Sequence, residues 1–97
     1  MGDVYSFPNP AIGGKRPTIH VECGIAESVE IRIYEITGAL IHEVKLTDQP
    51  HVINSRYAYE YRWDISNASS GGYIVVVVAK KSGENDIKII KKLALIK

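Results

Sequence analysis

The chain has 97 residues, of which 45% are hydrophobic, and its 12 basic and 11 acidic residues give a formal net charge of +1. This length supports one domain with a single hydrophobic core, and the near-neutral charge offers no field that would attract nucleic acid or an anionic membrane. The longest apolar run, residues 73–79, is far shorter than the roughly 20 residues that span a bilayer. We therefore expect one domain, spanning residues 1–97, that binds no nucleic acid and does not insert into a membrane.

Four strands are predicted in the first half of the chain. Alternating or clustered branched and aromatic residues mark residues 4–7, 18–23, 29–34 and 40–46. Pro8-Asn9-Pro10 ends the first strand, because proline supplies no N–H to a ladder. Residues 11–17 are predicted to form a loop, and Thr37-Gly38 is a hairpin signal. Ile41 blurs the alternation of the fourth strand, which is typical of an edge strand.

Three further strands are predicted in the second half, at residues 57–63, 74–78 and 87–96. The polar segments between them, residues 47–56, 66–72 and 80–85, are predicted to be loops. Residues 74–78 are apolar at both parities, so either both faces of this strand are covered or its neighbours flank it closely. Tyr73 follows two glycines, and we expect it to anchor a corner with its ring buried and its hydroxyl bonded to backbone.

These seven strands, with turn signals roughly every 8–12 residues and no helical apolar stripe, predict an all-β fold. The expected architecture is a seven-stranded antiparallel β-sandwich of the Ig-like or fibronectin-III-like kind. A five-stranded barrel is the alternative, although it would leave two of the strands unused.

Tyr57, Tyr59, Tyr61 and Trp63 share one parity of the fifth strand. An exposed strip of this kind could stack on sugar rings, which makes a carbohydrate- or protein-binding module with Tyr57 and Tyr59 as its contacts an alternative function. The competing interpretation places Trp63, with Tyr61, in the core, since short strands need large residues to fill it. We favour the core for Trp63 and expect Tyr57 to be the most exposed of the four.

The residue types used in catalysis and metal binding show no productive spacing. The histidines lack short metal-ligand spacing and are expected at the surface: His20, His42 and His51. A calcium site is only weakly indicated, and would use Asp64, Asn67 and Asp86. Cys23 alternates with apolar residues and is expected to be buried and inert. We predict no enzyme, no catalytic residue, no metal site and no cofactor.

Four motifs occur in a fixed order along the chain. They are Phe7-Pro8-Asn9-Pro10, then VEIRIYEITG at residues 29–38, then Trp63-Asp64 with the SGGY of residues 70–73, and the closing KLALIK of residues 92–97. This ordered set resembles the C-terminal Ig-like domains of secreted bacterial proteins. That group includes the Ig-like domain of flagellar hook-capping proteins and the type A sorting domain of the type IX secretion system. Both branches remain open at this point.

The resemblance implies a non-catalytic C-terminal module of a larger secreted or cell-surface protein, one that acts as a sorting, anchoring or packing domain. Its partners would be an upstream cargo domain and the secretion machinery of the outer membrane. Met1 and Gly2 are expected to be an added start, with the signal peptide further upstream. The implied contact is the last strand, whose unpaired backbone would suit β-augmentation: Lys92, Leu93, Ala94, Leu95, Ile96 and Lys97. Pro8, Asn9, Pro10 and Gly38 would shape the fold.

Overall fold

Two β-sheets sharing one core make up the computed structural model, which describes residues 3–53 and 55–97. The strands are β1 (Val4–Phe7), β2 (Ala11–Ile12), β3 (Thr18–Val21), β4 (Ser28–Glu35), β5 (Leu40–Leu46), β6 (His51–Ile53), β7 (Arg56–Arg62), β8 (Gly71–Lys80) and β9 (Ile87–Ile96). The four-stranded sheet has the order β1-β3-β7-β6, and the five-stranded sheet has the order β2-β9-β8-β4-β5. Among the described residues there is no helix, and so none that could cross a membrane.

The predicted all-β fold is confirmed and all seven predicted strands are present, but the count of seven strands and the wholly antiparallel pairing are wrong. The described residues form nine strands, because β2 and β6 lie within segments predicted to be loops. β2 pairs with β9 in parallel, whereas the other pairs are antiparallel. Two or three residues are too few to show an alternating pattern of apolar and polar side chains. Each of these short strands forms because a longer neighbouring strand supplies its hydrogen bonds.

The core lies between inward-facing residues of both sheets. Ile19 of β3, Ile31 of β4 and Val77 of β8 are fully buried there. Trp63 is only 2% exposed and meets Tyr73 edge to face, with 5.4 Å between the ring centroids. Both the core position of Trp63 and the buried ring of Tyr73 are thus confirmed, and burial of large aromatic and branched side chains is the main driving force of this fold.

Tyr73 fixes the corner at the start of β8, as predicted from the sequence. The Tyr73 hydroxyl donates a hydrogen bond to the Ser69 carbonyl oxygen at 2.5 Å, while its ring lies in the core. Asp64 Oδ1 accepts a bond from the backbone N–H of Ser66 at 3.0 Å, which begins the same turn. The polar loop is therefore held from both sides, and it joins β7 to the central strand of the five-stranded sheet.

β8 is apolar at both parities because its neighbours flank it closely. It lies between β9 and β4 and pairs with both along most of its length. Val75 and Val77 face the core, whereas Val76 faces outward between Arg32 of β4 and Ile90 of β9 and is still buried. Of the two interpretations that the sequence left open, lateral flanking accounts for this burial.

Replacing Trp63 with alanine tests the position of the core. We expect Trp63→Ala to lower the free energy of unfolding by roughly 3–5 kcal/mol, because the change removes a buried ring and leaves a cavity. Tyr57→Ala is the matched control, since it removes an aromatic ring that is 49% exposed. Urea unfolding followed by circular dichroism gives both values. Equal losses in the two variants would contradict the assignment of Trp63 to the core.

Candidate functional site

The outer edge of the last strand is closed by a side chain from the beginning of the domain. The Asn9 side-chain amide donates to the Lys92 carbonyl oxygen at 3.1 Å, and the Ala94 N–H donates to Asn9 Oδ1 at 3.1 Å. Immediately beyond, β2 pairs with Leu95 and Ile96, and the Gly13 N–H donates to the Ile96 carbonyl oxygen at 2.7 Å. Asn9 followed by β2 therefore acts as a partner strand for this end of β9.

This closure corrects the expectation that residues 92–97 offer an unpaired backbone. Along an antiparallel strand, alternate residues direct their N–H and C=O groups toward the same side. The Lys92 carbonyl and the Ala94 N–H point away from β8 and are bonded to Asn9, and β2 pairs with the residues that follow, so an added strand would find a free ladder nearer the start of β9. Recognition of residues 92–97 would thus have to use side chains.

The six side chains predicted as a recognition segment divide between two faces. Leu93 and Leu95 face inward and are buried in the core. The outward positions are accessible: Lys92, Ile96 and Lys97 are exposed, and Ala94 is half-buried. The structure thus brings four of the six predicted residues to the surface, and it uses the other two to hold β9 on the core.

Lys97 also holds the corner loop before β8. Its Nζ donates to the carbonyl oxygens of Ile65 at 3.0 Å and Ala68 at 2.7 Å. Its backbone N–H donates to Ser70 Oγ at 2.8 Å. Much of the hydrogen-bonding capacity of this ammonium group is therefore used within the domain.

The remaining motif residues occupy turns. Gly38 has a φ of +100°, a left-handed conformation that favours glycine, and its N–H donates to the Glu35 carbonyl oxygen at 2.8 Å. The hairpin predicted from Thr37-Gly38 is confirmed by this turn between β4 and β5. Pro8 and Pro10, both after cis peptide bonds, flank Asn9.

The aromatic side chains of β7 do not form an exposed strip. Tyr59 is buried in the core, and its hydroxyl lies 3.2 Å from both the backbone N and the O of Ala26. The expectation that Tyr59 could stack on a ligand is therefore wrong, because its ring helps to fill the core. Tyr61 is half-buried and lies against His42, with 2.6 Å between its hydroxyl and His42 Nε2. Tyr57 is left as the one tyrosine of the predicted pair that solvent reaches.

His20 is buried, which corrects the prediction that it lies at the surface. Its side chain points away from the core, as its parity predicts, but the ring of Tyr5 stacks on it at 4.6 Å between centroids. Its Nδ1 lies 2.7 Å from Glu60 Oε2 and its Nε2 lies 2.8 Å from Glu22 Oε2. Because ionised carboxylates only accept hydrogen bonds, both contacts are satisfied only when each ring nitrogen donates, which is the arrangement of an imidazolium.

The two carboxylates determine the titration of this cluster. Burial lowers the pKa of His20, but the hydrogen bonds to Glu60 and Glu22 outweigh it, and the pKa of His20 is raised above its ordinary value. The hydrogen bond with His20 lowers the pKa of Glu22, and Arg56, with its Nη1 at 3.7 Å, acts in the same direction. The cluster is thus charged, paired and internally satisfied.

Other candidate residues do not converge on a site. Asp64 and Asp86 lie near opposite ends of β8, and among the described residues no group of three potential metal ligands occurs. Cys23 is buried, as predicted, and burial raises the pKa of its thiol, which favours the unreactive protonated form. His51 is exposed on β6, as predicted.

Comparison with protein families adds one finding. The chain matches the secretion system C-terminal sorting domain family over residues 5–92, nearly its whole length. The chain therefore belongs to this family, the sorting domains of the type IX secretion system, and the type IX branch is the one of the two open resemblances that is confirmed. Domains of this family are non-catalytic sorting signals. No curated protein and no solved structure matches the chain.

Removal of the Asn9 amide should loosen the end of β9. We expect Asn9→Ala to cost about 1–2 kcal/mol of unfolding free energy, since two hydrogen bonds are lost. Hydrogen exchange at the Ala94 amide should become faster, because that N–H loses its acceptor. Asn85→Ala, in the exposed turn between β8 and β9, is the control. Unchanged exchange at Ala94 would show that Asn9 does not close this edge in solution.

The His20 cluster predicts a defined pH dependence of stability. A raised folded-state pKa of His20 means that its contribution is complete below the unfolded value of about 6.5 and disappears as pH rises through the raised value. The lowered pKa of Glu22 has the opposite sign, and its contribution disappears as pH falls below about 4.5.

Urea unfolding across this range should show the stability of the wild type declining as pH rises above about 6.5, with a flatter profile in His20→Gln. An NMR titration of the His20 ring provides an independent reading. Identical pH profiles for the two proteins would contradict the proposed imidazolium.

Proposed function

We propose that this domain is the final module of a larger exported protein, and that the type IX machinery at the outer membrane reads the outward side chains of its last strand. The cargo would lie upstream in the same chain, together with a signal peptide. The contact residues in this proposal are Lys92, Ala94, Ile96 and Lys97. The observation that carries it is the alternation of Lys92, Ala94 and Ile96 with Leu93 and Leu95, which hold β9 on the core. Lys97 follows this row and is exposed.

Side-chain recognition is favoured because the backbone of this segment is already bonded. Asn9 and β2 satisfy the outer edge of residues 92–96, so a receptor would have to disrupt those bonds before adding a strand of its own. Such a strand would exchange these bonds for its own, with a loss of about 0.5–1.5 kcal/mol for each bond that it did not replace. Contact with exposed side chains on the outer face carries no such cost.

The family match extends to Lys92, so it supports sorting as the function without selecting the residues that follow. The proposal for residues 93–97 depends on the geometry of β9 alone. The outward row of Lys92, Ala94 and Ile96, followed by the exposed Lys97, gives a surface of mixed charge and apolar character. Such a surface suits specific protein contact, in which a few central residues contribute most of the affinity.

Export from a bacterium with a type IX system tests this proposal. A reporter that carries its own signal peptide would be fused in front of residues 3–97, and the exported fraction measured in medium and at the cell surface. We expect Lys92→Glu with Ile96→Asp to reduce export about tenfold or more, as loss of central contacts does at other interfaces. The control variant is Lys15→Glu with Val52→Asp, which makes equivalent changes at exposed residues outside β9.

The melting temperature of each purified variant separates misfolding from lost recognition. Export at the wild-type level by the Lys92/Ile96 variant would contradict recognition through β9, although the membership of the family would stand.

A further inference from the structure

The outer face of the five-stranded sheet is apolar where solvent would favour polar residues. An antiparallel sheet with one solvated face normally alternates apolar and polar side chains. On β8, however, the outward residues are Ile74, Val76 and Val78, and Ile90 of β9 lies beside Val76 with 60% of its surface exposed. Lateral flanking buries Val76, but nothing in the described chain lies over this row.

A groove of about 290 Å³ opens at one end of this face. Gly72 and Ala94 pair across the two strands and form a low floor, while Ile36, Ile74 and Lys92 rise around it. A Cβ at Gly72 would lie 3.0 Å from Ile36 Cδ1, so the absence of a side chain keeps the floor open. Asn9 also lines the groove and is fixed by its two hydrogen bonds to β9. The groove is thus a formed concavity whose size suits one or two aliphatic side chains.

The same face is positively charged. Strand register directs five basic and two acidic side chains outward, a formal charge of +3 on a chain whose total is +1: Lys45, Lys80, Lys88, Lys92, Arg32, Glu30 and Glu43. Both glutamates are already paired, with 2.6 Å between Arg32 Nε and Glu43 Oε2 and 3.7 Å between Lys80 Nζ and Glu30 Oε2. In the part of the chain that the structure describes, Lys88 and Lys92 form no ion pair and flank the apolar row.

We propose that this groove and the row beside it bind a partner-protein segment that carries an aliphatic side chain next to carboxylates. The aliphatic group would occupy the space above Gly72 and Ala94, the adjacent carboxylate would pair with Lys92, and a carboxylate further along the segment would pair with Lys88. Charge complementarity selects this occupant over a second copy of the chain, since two copies of this face would repel each other. Concavity selects it over an anionic membrane, because a membrane surface contacts protruding groups and leaves a recess empty.

This inference rests on the proposed function, because Lys92 and Ala94 belong both to the outward row of β9 and to the groove. It adds the chemistry of the partner segment. The test uses the purified chain, so peptide binding can fail while export that depends on β9 succeeds. Peptide binding can likewise succeed while that export fails.

Peptide titration by NMR is the direct experiment. The isotope-labelled chain is titrated with the capped peptide Glu-Leu-Glu-Leu-Glu up to millimolar concentration. We expect saturable shifts at the amides of Gly72, Ile74 and Ala94, which weaken as ionic strength rises. The matched probes are Lys-Leu-Lys-Leu-Lys, which reverses the charge, and Glu-Ser-Glu-Ser-Glu, which removes the aliphatic groups. No shift with the first peptide, or equal shifts with all three, would overturn the proposal.

Two variants locate the contact. Ala94→Phe fills the groove from an outward position and should abolish saturable binding. Lys92→Glu should weaken it about tenfold, whereas Lys15→Glu, an identical change of charge on an exposed loop, should leave it unchanged. If Ala94→Phe does not fold, the comparison of Lys92→Glu with Lys15→Glu is the test. Equal affinity of these two variants for the acidic peptide would reject the site.

Sedimentation with phosphatidylglycerol vesicles separates the membrane alternative. The proposal expects no sedimentation above that of vesicles of neutral lipid. Sedimentation of the wild type that is lost in Lys92→Glu and retained in Lys15→Glu would show that the face binds lipid, and would overturn the assignment to a protein partner.

Discussion

Two hydrogen bonds from one amide group, that of Asn9, connect the beginning of this domain to its last strand. They bond the Lys92 carbonyl and the Ala94 N–H, which would otherwise face solvent or invite a foreign strand. The same bonds bring the chain alongside β9, where β2 then forms its short parallel pair. The Phe-Pro-Asn-Pro motif and the closing strand, more than 80 residues apart, are therefore parts of one structural unit.

The sequence predicted the strands that carry their own signal and missed those that depend on a neighbour. β4 and β5 alternate over seven or eight residues, so their pattern is visible locally. β2 and β6 have two or three residues and are defined by long-range pairing with β9 and β7. His20 was misplaced for the same reason: its parity was correct, but burial comes from Tyr5 across β1 and Glu60 across β7. The groove, which combines β8, β9 and the Gly38 hairpin, had no local signal.

The outer faces of the two sheets differ in how far their side chains are paired or covered within the domain. On the four-stranded sheet, an imidazolium is enclosed by two carboxylates and an aromatic ring, so its charge is neutralised within the domain. On the five-stranded sheet, apolar side chains and lysines remain open to solvent. Desolvating a charge that is already paired gains little, whereas covering exposed apolar surface contributes roughly 25 cal/mol per Å². This difference is why the proposed partner is assigned to the five-stranded sheet.

On β9, alternate residues face the core and the proposed recognition surface. Leu93 and Leu95 face the core, while Lys92 and Ala94 face outward. A shift of one residue in register would exchange the two sets, exposing leucines and burying a lysine. Because Asn9 bonds to the backbone at 92 and 94, it stabilises the one register in which both sets are correctly placed. Since the surface available to a receptor depends on that register, a secretion machine that reads outward side chains would also discriminate correctly folded domains from misfolded ones, with no separate sensor of folding.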